Sequence, residues 1–175
     1  MEHSAVTERD RLVLRLFADC GLRLHELTGL CVGDLKRANN RLVMEIHGKG
    51  DRDRRVPVPA GLINRLARLV KGRPTECVSD RLFVAVRRGR AGIFESLGDS
   101  GVTHMIHDLG IRAGLDKNVH PHLLRHSWMT EMLRRGMNPI QLSVIAGASQ
   151  GVIAQHYAHL NEEDAFLAMT KALAS

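Results

Sequence analysis

Aromatic side chains are scarce in this chain: four Phe, one Trp and one Tyr, 3% of its 175 residues. So few rings argue against the stacking platforms that grip single-stranded nucleic acid. Cysteine is sparse too. Cys20, Cys31 and Cys77 are odd in number and none forms a Cys-x-x-Cys pair. That excludes a complete internal disulfide framework, fits a reducing compartment, and leaves the three thiols as expected small buried hydrophobes. No apolar run is long enough to span a bilayer, and residues 1 to 10 are too polar to read as a signal peptide. The cytosol is the expected compartment and no membrane partner is expected. A Gly-x-Ser-x-Gly turn and a phosphate-cradling glycine loop ahead of a helix are both missing, which speaks against a serine hydrolase and against nucleotide hydrolysis. There is no internal repeat, low-complexity tract or linker.

What the chain has is positive charge. Lys and Arg number 25 against 19 acids, for a net charge of +6. A polyanion suits such a surface, because every phosphate neutralised releases counterions, and with stacking disfavoured the expected partner is duplex DNA. The hydrophobic share of 44% and charged share of 25% are ordinary for one globular domain with a core.

Periodicity predicts a mainly α-helical α+β chain with a small antiparallel β-sheet. Thr7 and Asp10 open a helix whose Val13, Leu16, Phe17 and Cys20 fall on one buried stripe, closed by Gly21. A second helix begins near Arg23, which shares a face with Glu26. Residues 41 to 47 alternate as a half-exposed strand, Gly48 to Asp51 turn, and Arg54 to Val58 return as an edge strand, because Pro57 lacks an amide donor. Lys49 is thereby presented near a hairpin tip, flanked by Arg52, Arg54 and Arg55, which with Arg87 and Arg88 of a later basic loop are the expected DNA contacts. Leu82 to Val86 is a candidate third strand. Further helices are expected over Ala60 to Val70, over Ser100 to Ala113 with Ser100 as cap, from Pro121 to about Arg135 with Leu124, Trp128 and Met132 inward, from Pro139 through Ile140, Val144 and Ile145, after Gly147 through Val152, Ile153 and Tyr157, and from Asn161 with Phe166, Met169 and Leu173 as an apolar stripe.

His122 with His126, and His156 with His159, have spacings that suit metal ligands on one helical face. The glutamate of His-Glu-x-x-His is missing and no third ligand is indicated, so no metal is expected. The remaining constellation is Arg23, Lys49, His122, Arg125 and Tyr157, the only tyrosine. Together these side chains meet the needs of phosphoryl transfer. Guanidinium forks suit charge building on non-bridging oxygens, a phenol with a pKa near ~10 must lose its proton, and the departing 5′ oxygen must gain one from a lysine or histidine.

Four segments resemble the tyrosine recombinase, or phage integrase, catalytic domain. Cys20-Gly21-Leu22-Arg23-Leu24-His25-Glu26-Leu27 is similar to its first arginine box. Gly48-Lys49-Gly50 with Arg55-Val56-Pro57-Val58 is similar to its lysine hairpin. Pro121-His122-Leu123-Leu124-Arg125-His126 is similar to its second arginine box, and Tyr157-Ala158-His159 to its nucleophile box. The resemblance runs from about residue 7 to 173. It implies that residues 1 to 175 form a single catalytic domain without an N-terminal core-binding domain. It also implies a site-specific recombinase that cleaves and rejoins duplex DNA through a 3′-phosphotyrosyl link, with no cofactor, neither ATP nor metal. Arg23 and Arg125 would grip the scissile phosphate, Lys49 protonate the leaving oxygen, His122 assist proton transfer, Tyr157 attack, and Glu26 support the arginines. A homo-oligomer on DNA, a tetrameric synapse, is implied, with the stripe of the last helix docking onto a neighbouring subunit or packing on its own core. In one place the chain departs from the family. Nine residues before the tyrosine the family has histidine or tryptophan, and this chain has Ala148, which donates no hydrogen bond; Gln150 or His126 are candidate substitutes. A type IB topoisomerase shares the chemistry, and a silent DNA-binding or regulatory module is the reading that Ala148 leaves open.

Overall fold

The computed structural model describes residues 1, 3, 7–39, 41–48, 53–74, 77, 79–85, 94–157 and 162–173, without the side chains of 156, 157, 162–165 and 168. Helix α1 (Glu8–Cys20) is capped by the Thr7 hydroxyl, which accepts from the Asp10 amide. Its buried Leu12, Val13, Leu16, Phe17 and Cys20 are the spine of the main core. Gly21 ends it in the left-handed region at φ 59°, and Arg23 is the N-cap of the short α2 (Leu24–Gly29).

A three-stranded antiparallel sheet follows, in the order β1 (Leu35–Ala38), β2 (Arg41–Ile46), β3 (Arg54–Pro57). β3 is an edge, as Pro57 requires. The third strand is not the expected Leu82 to Val86 segment. There, Leu82 and Phe83 are both buried, consecutive rather than alternating, and Arg81 and Val84 make only isolated bridges to Cys31 and Ser96; Val86 lies outside the described residues. The true third strand, Leu-Lys-Arg-Ala, carries two exposed charges and little apolar signal.

Helix α3 (Ala60–Lys71) buries Leu62 and Leu66. α4 (Asp99–Arg112) is capped by Gly98 rather than Ser100, and its Asp99 carboxylate accepts from the Thr28 hydroxyl at 2.6 Å, tying it to α2. α5 (Pro121–Arg134) has Pro121 in its first turn, with the ring of His120 as cap. A second apolar cluster joins Trp128, Met129 and Leu133 of α5 to Leu142 and Ala146 of α6 (Pro139–Ala146) and Ile153 of α7 (Gln150–Tyr157). On α6 the expected Ile140 and Val144 stand exposed. On α8 (Glu162–Leu173), Phe166, Met169 and Leu173 are also exposed, so this stripe does not pack on the chain's own core. Asn161 lies outside the described residues. The cysteines are free, Cys20 buried and Cys31 and Cys77 only half-buried. No helix among the described residues is long and apolar enough to cross a membrane.

Candidate active site

The site is organised around the C-terminal turn of α6. A helix leaves its last four carbonyls without intrahelical donors. Here the Gly147 amide, in a left-handed cap at φ 61°, returns to the Val144 carbonyl at 3.2 Å, and the Ala148 amide to Ser143 at 3.1 Å. The next three carbonyls each meet a different arginine. Arg54 donates through Nε to Ile145 at 2.8 Å, Arg125 through Nη2 to Ala146 at 2.7 Å, and Arg23 through Nη2 to Gly147. Consecutive carbonyls at the negative pole of a helix dipole thus gather three guanidinium groups.

On the opposite side stands Glu26, 5% exposed. Its carboxylate accepts from Arg54 Nη1 and Nη2 at 2.7 and 2.8 Å, from Arg23 Nη1 at 2.9 Å and from the Arg23 amide at 2.7 Å. Burial pushes the Glu26 carboxyl up, but these donors outweigh burial and hold it at about 2. The Arg23–Glu26 pair anticipated as i, i+3 neighbours is therefore one edge of a buried network.

Arg125 is 5% exposed and also donates through Nη1 to the Gly21 carbonyl. Gly21 must be bare, since a Cβ there would lie 2.0 Å from Cε3 of the Trp128 indole, whose Nε1 donates to the Asp19 carbonyl at 3.1 Å. α1 and α5 are thus locked at the point from which Arg125 projects. Burial and the positive charge of Arg23 bring the Arg125 pKa down to about 10, against the opposing pull of Glu26, so it stays cationic at neutral pH.

Three guanidinium groups around one carboxylate leave local positive charge uncompensated by that network. Two cavities adjoin it, sharing Arg23, Ala148 and Ser149. One, of about 470 Å³, is also lined by Arg125, His122 and His126; the other, of about 550 Å³, by Gly48, Asp53 and Arg54. Each arginine has five N–H donors, so those not spent on carbonyls and Glu26 remain for an anion. Arg23, His122 and Arg125 line one cavity. Ala148 sits at its rim, half-buried against the second cluster.

The base of the β2–β3 hairpin is fastened by His47, whose ring nitrogens contact Asp53 at 2.9 Å and Asp34 at 3.4 Å. The Asp53 hydrogen bond foremost raises the His47 pKa. Lys49, Arg52, Arg87 and Arg88 lie outside the described residues. Tyr157 is the last residue of α7, which packs on α5 and α6; its side chain is not described. Of the arginines expected to touch DNA, Arg55 is exposed and paired with Glu45 at 3.2 Å. Arg54, expected there too, has a side chain only 9% exposed, its three nitrogens bonded to Glu26 and to the Ile145 carbonyl. Strand parity carried the missed signal. Arg54 shares its face with Val56 and Val58, both buried, and pairs across the sheet with Ile46, 2% exposed.

Comparison with known proteins agrees with this architecture. The chain is 30% identical over 161 residues to tyrosine recombinase XerC of Pseudomonas fluorescens, covering 92% of this chain and 51% of that protein. It is 33% identical over 165 residues to tyrosine recombinase XerA of Thermococcus onnurineus, covering 94% and 56%. The chain therefore spans about half the length of the curated relatives it matches. Its fold superposes on a crystal structure of XerA recombinase with a TM-score of 0.78 at 27% identity, covering 98% of this chain and 59% of that one. XerH site-specific recombinase in a post-cleavage complex with its palindromic difH substrate gives 0.74 at 25% identity, covering 93% and 45%. The model of the phage integrase family matches residues 1–164, across all three arginines, Glu26 and Tyr157, and the chain belongs to that family.

Proposed function

We propose that this chain is the catalytic domain of a site-specific DNA recombinase that cleaves and rejoins duplex DNA through Tyr157. The observation that carries the reading is the tethering of Arg23 and Arg125 to the adjacent carbonyls of Gly147 and Ala146, beside one cavity that also receives His122. Both forks line that cavity, and a guanidinium fork suits the paired oxygens of a phosphate.

In this mechanism the Tyr157 phenolic oxygen attacks phosphorus, a P–O bond forms, and the bond to the 5′ oxygen breaks. His122 takes part in moving the phenolic proton, and Lys49, which follows the cavity-lining Gly48, supplies a proton to the leaving oxygen. Arg23 and Arg125 stabilise the charge that accumulates on the non-bridging oxygens. The products are a 3′-phosphotyrosyl link and a 5′ hydroxyl. The link conserves the phosphodiester's free energy, so a 5′ hydroxyl from another strand restores the backbone without ATP. We place this activity in the cytoplasm with duplex DNA as substrate, the exposed Arg55 and the Arg52, Arg87 and Arg88 side chains contacting the duplex. The exposed face of α8 docks on a second copy to build the synapse.

The test uses a nicked duplex whose cleaved strand diffuses away, resolved on a denaturing gel. A covalent protein–DNA band that disappears in Tyr157→Phe supports the reading. Absence of the band from the unmodified chain contradicts it, and supercoil relaxation without exchange between two DNAs would identify a topoisomerase instead.

A further inference from the structure

We propose that Arg54 is a positioning residue for the phosphate-gripping pair, a strut that sets the place of Arg23 and couples it to β3. The inference rests on the recombinase reading and adds a residue and a route of coupling to it.

Arg54 opens β3, the strand that leaves the hairpin carrying Lys49. Strand parity turns its side chain inward, where it is 9% exposed. All three of its nitrogens are engaged: Nη1 and Nη2 hold the two oxygens of Glu26, and Nε holds the Ile145 carbonyl. Glu26 in turn holds Arg23 by its guanidinium and by its amide. One planar side chain therefore braces three segments at fixed angles: the hairpin, the start of α2 and the end of α6. The fit around it is close. A Cβ on Gly147 would stand 3.1 Å from Arg54 Cζ and 3.2 Å from Arg23 Nη1, so the cap residue is bare where both guanidiniums pass.

The inward charge is costly to bury, and Glu26 alone does not need two arginines for neutralisation. A fork that bonds both carboxylate oxygens fixes the rotation of Glu26 as well as its charge, which a single point charge does not. With Arg54 in place, Glu26 presents a fixed oxygen to Arg23, and Arg23 faces the cavity in one orientation.

Single-turnover cleavage tests this with two nicked substrates, one with the natural phosphodiester and one with a neutral methylphosphonate at the scissile position. Replacing one charged oxygen by methyl removes much of the demand for a well-aimed guanidinium. Arg54→Gln is expected to lower the phosphodiester rate at least 30-fold and the methylphosphonate rate less than 5-fold, with DNA affinity within about threefold of the parent. Arg54→Lys, which keeps the charge and loses the fork, falls between, and also serves if Arg54→Gln does not fold. Arg54→Gln combined with Glu26→Gln falls no further than the worse single variant. Equal losses on both substrates, or an unchanged phosphodiester rate in a folded Arg54 variant, overturn the strut while the parent's covalent band still upholds the recombinase reading. A parent that forms no covalent band with either substrate overturns both.

Discussion

Glu26 stays ionised in a place where burial works against ionisation, because four donors from Arg54 and Arg23 converge on it. Its ordinary value of 4.5 falls to about 2 in the fold. A depressed folded pKa contributes stability that is complete above the unfolded value and fades as pH falls from about 4.5 through about 2. At neutral pH the contribution is about 3 kcal/mol. Glu26→Gln should lose that amount in urea unfolding at pH 7, with the gap to the parent shrinking by more than half near pH ~3; a gap independent of pH would contradict the assignment. At Ala148 the expectation runs the other way. The site lacks a donor there, and one such donor elsewhere is worth ~2.7–4 kcal/mol. Ala148→His should therefore raise the rate of suicide-substrate cleavage, and an equal or lower rate would count against the role given to that position. The sequence showed Arg23, Glu26, His122 and Arg125 through local spacing within two boxes. Arg54 was visible only by parity with Val56 and Val58, and its link to Ile145 spans 91 positions, beyond any local pattern.

At the scale of elements, local signals served best where they were strongest. The Thr7 cap, the α1 stripe, Pro121 in the first turn of α5 and the edge position of Pro57 all follow from one or two residues acting on adjacent backbone. β1 escaped because its exposed Lys36 and Arg37 satisfy no apolar alternation, and α6 misled because its exposed Ile140 and Val144 are as many as its buried Leu142 and Ala146. Gly21 joins the two kinds of information. Its left-handed φ was legible as a helix stop, whereas its contact with Trp128 depends on α5 crossing α1. Gly21→Ala should cost about 3 kcal/mol or more in chemical denaturation, from backbone strain and overpacking together. Cleavage should fall as well, because the carbonyl that seats Arg125 moves. A loss below ~1 kcal/mol, within the range of ordinary substitutions, would show that the contact yields freely.

For the molecule as a whole, the arginines bridge two sets of elements: Arg23 and Arg54 reach from α2 and β3 to the end of α6, and Arg125 reaches from α5 to Gly21 at the end of α1, so the site lies on the seam between them. Beyond that seam, α8 exposes Phe166, Leu167, Met169 and Leu173 by 60–77%. If that face docks on a second copy, removing residues 161 to 175 should abolish crosslinked multimers on DNA while single-site binding persists; multimers unchanged by the truncation would refute the docking. The central claim is that Arg23 and Arg125 act on one phosphate, and a double-mutant cycle on single-turnover cleavage tests it most directly. Arg23→Ala and Arg125→Ala should each lower the rate by roughly 100-fold or more. The double variant should fall far short of the product of the two losses, as groups acting as one unit do. Losses that multiply in full would mean that the two arginines serve separate anions, contradicting the account.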